Sequence, residues 1–157
     1  QAVWFLSLLL EGQSLLFSAV IIGLMFYLSK QKKQDGLLLL KALPIALLLE
    51  YIAVELGLLS FKVDPFPMWL VLLWAALILS LNTSMHFLSR LRLWQVFVVC
   101  LIFAPASYWA GARFNVINLG LPLWQFWVAY GVIWSAAFTF IVFINQKIKS
   151  IILASQN

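Results

Sequence analysis

Short polar breaks divide an otherwise apolar chain into six runs, at residues 4–10, 15–28, 37–59, 68–88, 93–110 and 123–144. A hydrocarbon core of roughly 30 Å takes about 20 helical residues to cross, and the 37–59 run exceeds that length. The pattern predicts an all-α fold, a polytopic membrane bundle of six transmembrane helices forming a single domain over residues 1–157. The run at 15–28 spans only roughly 21 Å as a helix. A single helix through Glu11 is therefore the alternative, with five spans and the N-terminus on the other side. The first run is too short to span, and the chain opens on Gln1 rather than Met. Upstream residues are expected to complete that helix. A cleaved signal peptide fits less well, because apolar sequence begins at once without a polar mature start. No internal repeat is evident.

Composition narrows the class. The chain is 65% hydrophobic and 10% charged, outside the range of soluble globular domains. A net charge of +5 would raise nucleic acid as a partner for a soluble protein. Here the cations lie in loops between apolar runs, with no basic stripe interleaved with aromatics, so no nucleic-acid partner is expected. Lys30, Lys32 and Lys33, then Arg90 and Arg92, then Lys147 and Lys149 fall on alternate breaks. The other side carries Lys62, balanced by Asp64, and Arg113. The positive-inside rule places both termini in the cytoplasm. Trp69, Trp109, Trp124 and Trp127 are expected at the outer interface and Trp94 at the inner one. Pro44 and Pro105 fall inside spans and should kink them. The single cysteine, Cys100, excludes an internal disulfide and a thiolate metal cluster.

The candidate chemistry lies in polar residues inside the apolar runs. A carboxyl in a membrane helix costs a few kcal/mol unless it is paired, protonated or facing water. Glu50 and Glu55 share one helix, but five residues rotate by about 140°, so they do not form a carboxylate dyad. Glu50 is expected to face the bundle interior, grouped with Leu43, Ala46, Val54 and Gly57, and to meet a hydroxyl, amide or water. Tyr51 and Glu55, at i and i+4, share a face. Asn82, His86 and Ser89 continue one face of the fourth helix, where interhelical hydrogen bonding is the usual role. Small residues in the Pro105–Arg113 stretch allow close helix approach. Arg113 is expected to pair with Glu55, or else Glu11, at matched depth. No catalytic, phosphate-binding, dinucleotide or metal-ligand motif occurs, so no catalytic residue, cofactor or metal site is assigned.

Several blocks resemble a bacterial inner-membrane family of unknown function, domain family 2878. They are Gln1-Ala2-Val3-Trp4-Phe5, Leu49-Glu50 followed by Gly57-Leu58-Leu59-Ser60-Phe61, Leu73-Trp74-Ala75 followed by Asn82-Thr83-Ser84, and Pro105 to Arg113. The most specific is Tyr108-Trp109-Ala110-Gly111-Ala112-Arg113. The family pattern has Asp where Glu50 stands, His at Thr83 and Gly at Ala104. The acid is kept, while the imidazole beside Asn82 is lost, and His86 is not at the matching position. The resemblance implies the bacterial inner membrane and a setting near membrane-lipid modification or stress.

From this reading Glu50, Glu55, Asn82, Tyr108 and Arg113 are the candidate functional polar residues. The favoured role is a non-catalytic accessory or subunit of membrane-lipid-modifying or other membrane machinery. The expected partners are membrane lipids, other membrane proteins or a second copy of the chain. The alternative is a small proton- or cation-coupled transporter or flippase using Glu50. A membrane enzyme acting on acyl chains or headgroups comes third, because no nucleophile–base pair or histidine cluster is present.

Overall fold

The computed structural model describes residues 2–154. Helices α1 (Ala2–Leu10) and α2 (Leu15–Leu28) are joined by a 3-10 turn over Glu11–Ser14, where Glu11 takes a φ of +43°. Then follow α3 (Lys32–Glu55), α4 (Met68–Ser80), α5 (Leu93–Arg113) and α6 (Leu123–Ala154). With Ala2–Leu28 taken as one stretch, four helices are long and apolar enough to cross a membrane; Met68–Ser80 is apolar but shorter. The exterior is correspondingly apolar, with Leu16, Leu40, Phe103 and Trp124 all exposed. Exposed apolar surface on this scale marks a lipid-facing protein.

Helix boundaries depart from the apolar runs where polar groups take part. α3 starts among the lysines and holds Asp35 in its first turn, where the helix dipole favours an acid. α4 stops at Ser80 rather than running to residue 88; His86 lies in the turns beyond it and Ser89 in a short 3-10 helix, Leu88–Arg90. The Ser80 hydroxyl bonds the Leu77 carbonyl at 2.6 Å, the local competition by which such residues loosen helix ends. α6 runs ten residues past the last apolar run. At 32 residues it is about 48 Å long and outlasts a bilayer core.

A repeat not visible in the sequence emerges at the end opposite the lysines. α3 ends with Gly57 at φ +66°, and α5 with Asn115 at φ +55°. Both ends carry the same pair of C-cap hydrogen bonds, Leu58 N–H to Ala53 and Gly57 N–H to Val54, then Val116 N–H to Gly111 and Asn115 N–H to Ala112. This is the Schellman arrangement. Each cap leads into a three-residue strand, β1 (Leu59–Phe61) and β2 (Ile117–Leu119). The strands pair antiparallel with Ser60 opposite Asn118 at the centre, a register that maps onto itself when the strands are exchanged. Each strand then leads to a helix opened by Pro, an apolar residue and Trp: Pro67-Met68-Trp69 and Pro122-Leu123-Trp124. The units α3–β1–α4 and α5–β2–α6 are thus related by a local two-fold. The relation breaks lower down, where α6 packs against α3 while α4 packs against α1 and α2.

Close approach fixes the crossings. A Cβ on Gly120 would lie 1.8 Å from the Gly57 carbonyl oxygen, so only glycine fits beneath that turn. Pro105 leaves the Leu101 carbonyl without its helical donor, and Gly131 of α6 lies over this gap, 2.9 Å from the Pro105 ring as measured from an added Cβ. The buried apolar residues of the long helices form one cluster around Leu38, Ala42, Trp74, Phe126 and Phe138.

Candidate functional site

Glu50 faces inward as the cost of a lipid-exposed acid requires, and it is 0% exposed. The buried stripe of α3 runs through Leu38, Ala42, Ala46, Leu49, Glu50 and Ala53. Ala46 belongs to it as expected, whereas Gly57 is exposed and Leu43 and Val54 are half-buried. Alanines on this stripe leave room for aromatic side chains from the facing helices.

Three donors from three other helices converge on the carboxyl. The Trp74 indole of α4 donates to Oε1 at 2.9 Å, and the Tyr108 hydroxyl of α5 bonds the same oxygen. The Tyr130 hydroxyl of α6 lies 3.2 Å from Oε1 and 3.3 Å from Oε2. An indole N–H can only donate, so Oε1 is fixed as an acceptor. An aromatic stack surrounds the group. Phe126 stacks on Tyr130 at 4.9 Å, Trp134 on Phe138 at 4.8 Å, and Trp74 on Trp134 at 5.3 Å between ring centroids. On α6 these rings recur every fourth residue, and so line one face. Glu50 and Tyr108 stand the same number of residues before Gly57 and Asn115, so their contact joins equivalent positions of the two units.

A second polar cluster lies at the lysine-bearing end of the same α3–α6 pair. The Asp35 carboxylate, 1% exposed, accepts from the Ser29 hydroxyl and from the Asn82 amide at 2.6 Å. The Asn82 carbonyl accepts from Gln34 at 3.1 Å and from Asn145 at 2.8 Å. Asn145 accepts from Gln34 at 2.8 Å and donates to Ser89 at 3.2 Å. Asn82, expected on one face of the fourth helix, lies instead in the turns beyond α4, from which it bonds residues of α3 and α6.

Of the expected residues, Glu50 and Tyr108 meet, and Asn82 lies in the second cluster. Glu55 and Arg113 stay apart. Glu55 is exposed and interacts with Tyr51 on its own helix. Arg113 is exposed and lies over the Trp109 ring at 5.7 Å. The salt bridge formed among the described residues joins Glu11 to Lys62. The expected Arg113–Glu55 and Arg113–Glu11 pairs do not form among the described residues: Glu11 is taken by Lys62, Glu55 by Tyr51, and Arg113 covers the Trp109 ring. Trp69 is 3% exposed and packs edge-on against Phe61 rather than facing outward. Trp94 and Trp124 are exposed.

The sequence reading missed Trp74 and Tyr130 as donors, and Asp35, Gln34 and Asn145 as cluster members. Lys41 also falls inside the 37–59 run, on the exposed face of α3, where a long side chain can reach toward the interface. Among the described residues, no three His, Cys, Asp or Glu side chains gather as metal ligands.

Fold and site together define an all-helical membrane protein organised around a sealed carboxyl. The chain belongs to the family described as "Protein of unknown function (DUF2878)", which it matches over residues 1–140. No curated protein and no solved structure matches it.

Proposed function

We propose that the protein is a non-catalytic component of the bacterial inner membrane, an accessory or subunit of lipid-modifying or other membrane machinery. The observation that carries this reading is the enclosure of Glu50. The most chemically loaded side chain of the bundle is tied to α4, α5 and α6 at once, where it holds the two units together. The outer surface is then left to meet lipid and partner proteins. The proposed topology has six spans with both termini cytoplasmic. It is supported by the break at Glu11 and by the packing of both α1 and α2 against α4. Co-purification from native membranes at low detergent tests the role. A reproducible membrane-protein partner lost on E50L but kept on E50Q is the expected result.

The transporter reading keeps one specific support, the position of Glu50 between two units that run in the same direction, an arrangement found in transporters built from parallel repeats. Glu50→Gln separates the two. It retains a hydrogen-bonding group but cannot cycle a proton. If Gln restores the phenotype of a deletion and Leu does not, Glu50 is structural. If Gln fails while the protein remains folded, the transporter reading replaces the first.

A further inference from the structure

At the lysine-bearing end, the turns after α4 and the last part of α6 enclose a pocket of about 120 Å³. Its inner wall is the Asn82–Asn145–Ser89 network, and its mouth carries Arg90, Lys149, Gln31, His86 and Gln146. The wall is a pre-set scaffold. Asn145 is 2% exposed and spends its amide hydrogens on Asn82 and Ser89, while Gln146 donates to the Ser89 carbonyl at 3.1 Å. Ser89 Oγ accepts from Asn145, which leaves its own hydrogen to point elsewhere. Arg90 and Lys149 form no ion pair among the described residues. The nearest acid, Asp35, has one oxygen engaged by Ser29 and the other by Asn82, and it does not line the pocket.

Two cations with no ion pair among the described residues, beside a serine hydroxyl whose oxygen is held by Asn145 and whose hydrogen is left to a ligand, match an anion. We propose that this pocket binds a phosphate-bearing anion, with the Arg90 guanidinium engaging two phosphate oxygens, Lys149 supplying a point charge and Ser89 a neutral donor. Arginine suits bidentate phosphate recognition, and lysine binds phosphate as a charge. Basic pockets between helix ends on the cytoplasmic side of membrane proteins take anionic headgroups in this manner. The site rests on no feature of the Glu50 region. It also lies partly beyond the family match, which ends at residue 140 and so excludes Asn145, Gln146 and Lys149.

The test uses the full chain in nanodiscs and micelles. Native mass spectrometry with equimolar phosphatidylglycerol and phosphatidylcholine should show retained phosphatidylglycerol favoured by about tenfold, the ratio one good charge-assisted contact confers. R90Q/K149Q should reduce this preference to near unity, and R113Q at the opposite end should leave it unchanged. A thermal shift with inorganic phosphate at constant ionic strength separates the sources. A shift with phosphate alone assigns a soluble phosphate compound, and a shift only with phosphatidylglycerol assigns a lipid headgroup. Amine acylation of the unmodified chain supplies a readout that does not depend on variants: Lys149 should be protected relative to Lys62 by whichever ligand shifts the melting. The proposal is overturned if neither probe is preferred, if the preference survives in R90Q/K149Q, or if Lys149 is labelled equally with and without the ligand.

Discussion

Replacing Glu50 by Leu would leave the Trp74 indole and two tyrosine hydroxyls buried around an apolar group. Each orphaned donor costs about 1–3 kcal/mol, so a loss on the order of 3–5 kcal/mol is expected in detergent melts. Glu50→Gln keeps an acceptor for Trp74 and should cost about 1 kcal/mol. Equal melting of the two variants would show that the indole has no need of the carboxyl. For the exposed charges, R113Q and E55Q should add within about 0.5 kcal/mol in a double-mutant cycle, because the two side chains lie apart. A larger coupling would restore the pair that depth alone predicts. The orientation of Glu50 was legible in the sequence because lipid leaves an acid one tolerable direction. Its partners were not: Trp74 and Tyr130 look like ordinary membrane aromatics until three helices bring them together. Asp35 was hidden by the lysines beside it, and Asn145 by its position just past the last apolar run.

Just beyond the ribbon of β1 and β2, Gly120 passes in close backbone contact with Gly57. Gly120→Ala forces a methyl into the Gly57 carbonyl, and the turn must open. Overpacking costs about 1–3 kcal/mol, and a backbone clash at this distance belongs at the upper end or beyond. A melting point for G120A equal to that of the unmodified chain would mean the ribbon is dispensable. Helix existence was largely readable from apolar runs, whereas the ends were not. Ser80 and Thr83 loosen α4 before its apolar run ends, while Lys147 and Lys149 extend α6 past the bilayer because helix propensity does not need lipid. The strands were unreadable in principle. Leu59-Ser60-Phe61 and Ile117-Asn118-Leu119 are too short to carry a period, and they pair only because two identical caps deliver them to the same place.

Reporter fusions within 30–35 and after Asn157 should both read cytoplasm if the six-span topology holds, and a periplasmic C-terminus would reject it. The cluster around Asp35 and Asn82 and the cage around Glu50 lie about 22 Å apart along α3, at 1.5 Å per residue. The local two-fold escaped the sequence because it survives only in a few backbone requirements: a left-handed residue at each cap and Pro, an apolar residue and Trp at each new helix. Where the relation is followed most closely, the equivalent residues are Glu50 and Tyr108, an acid and its donor. Two copies of the first unit would set carboxyl against carboxyl, and two copies of the second would set hydroxyl against hydroxyl with no carboxyl to receive them. The two halves thus offer each other complementary groups that neither offers to a copy of itself. Expressed as separate fragments divided in the turns between α4 and α5, the halves should reassemble only as the mixed pair.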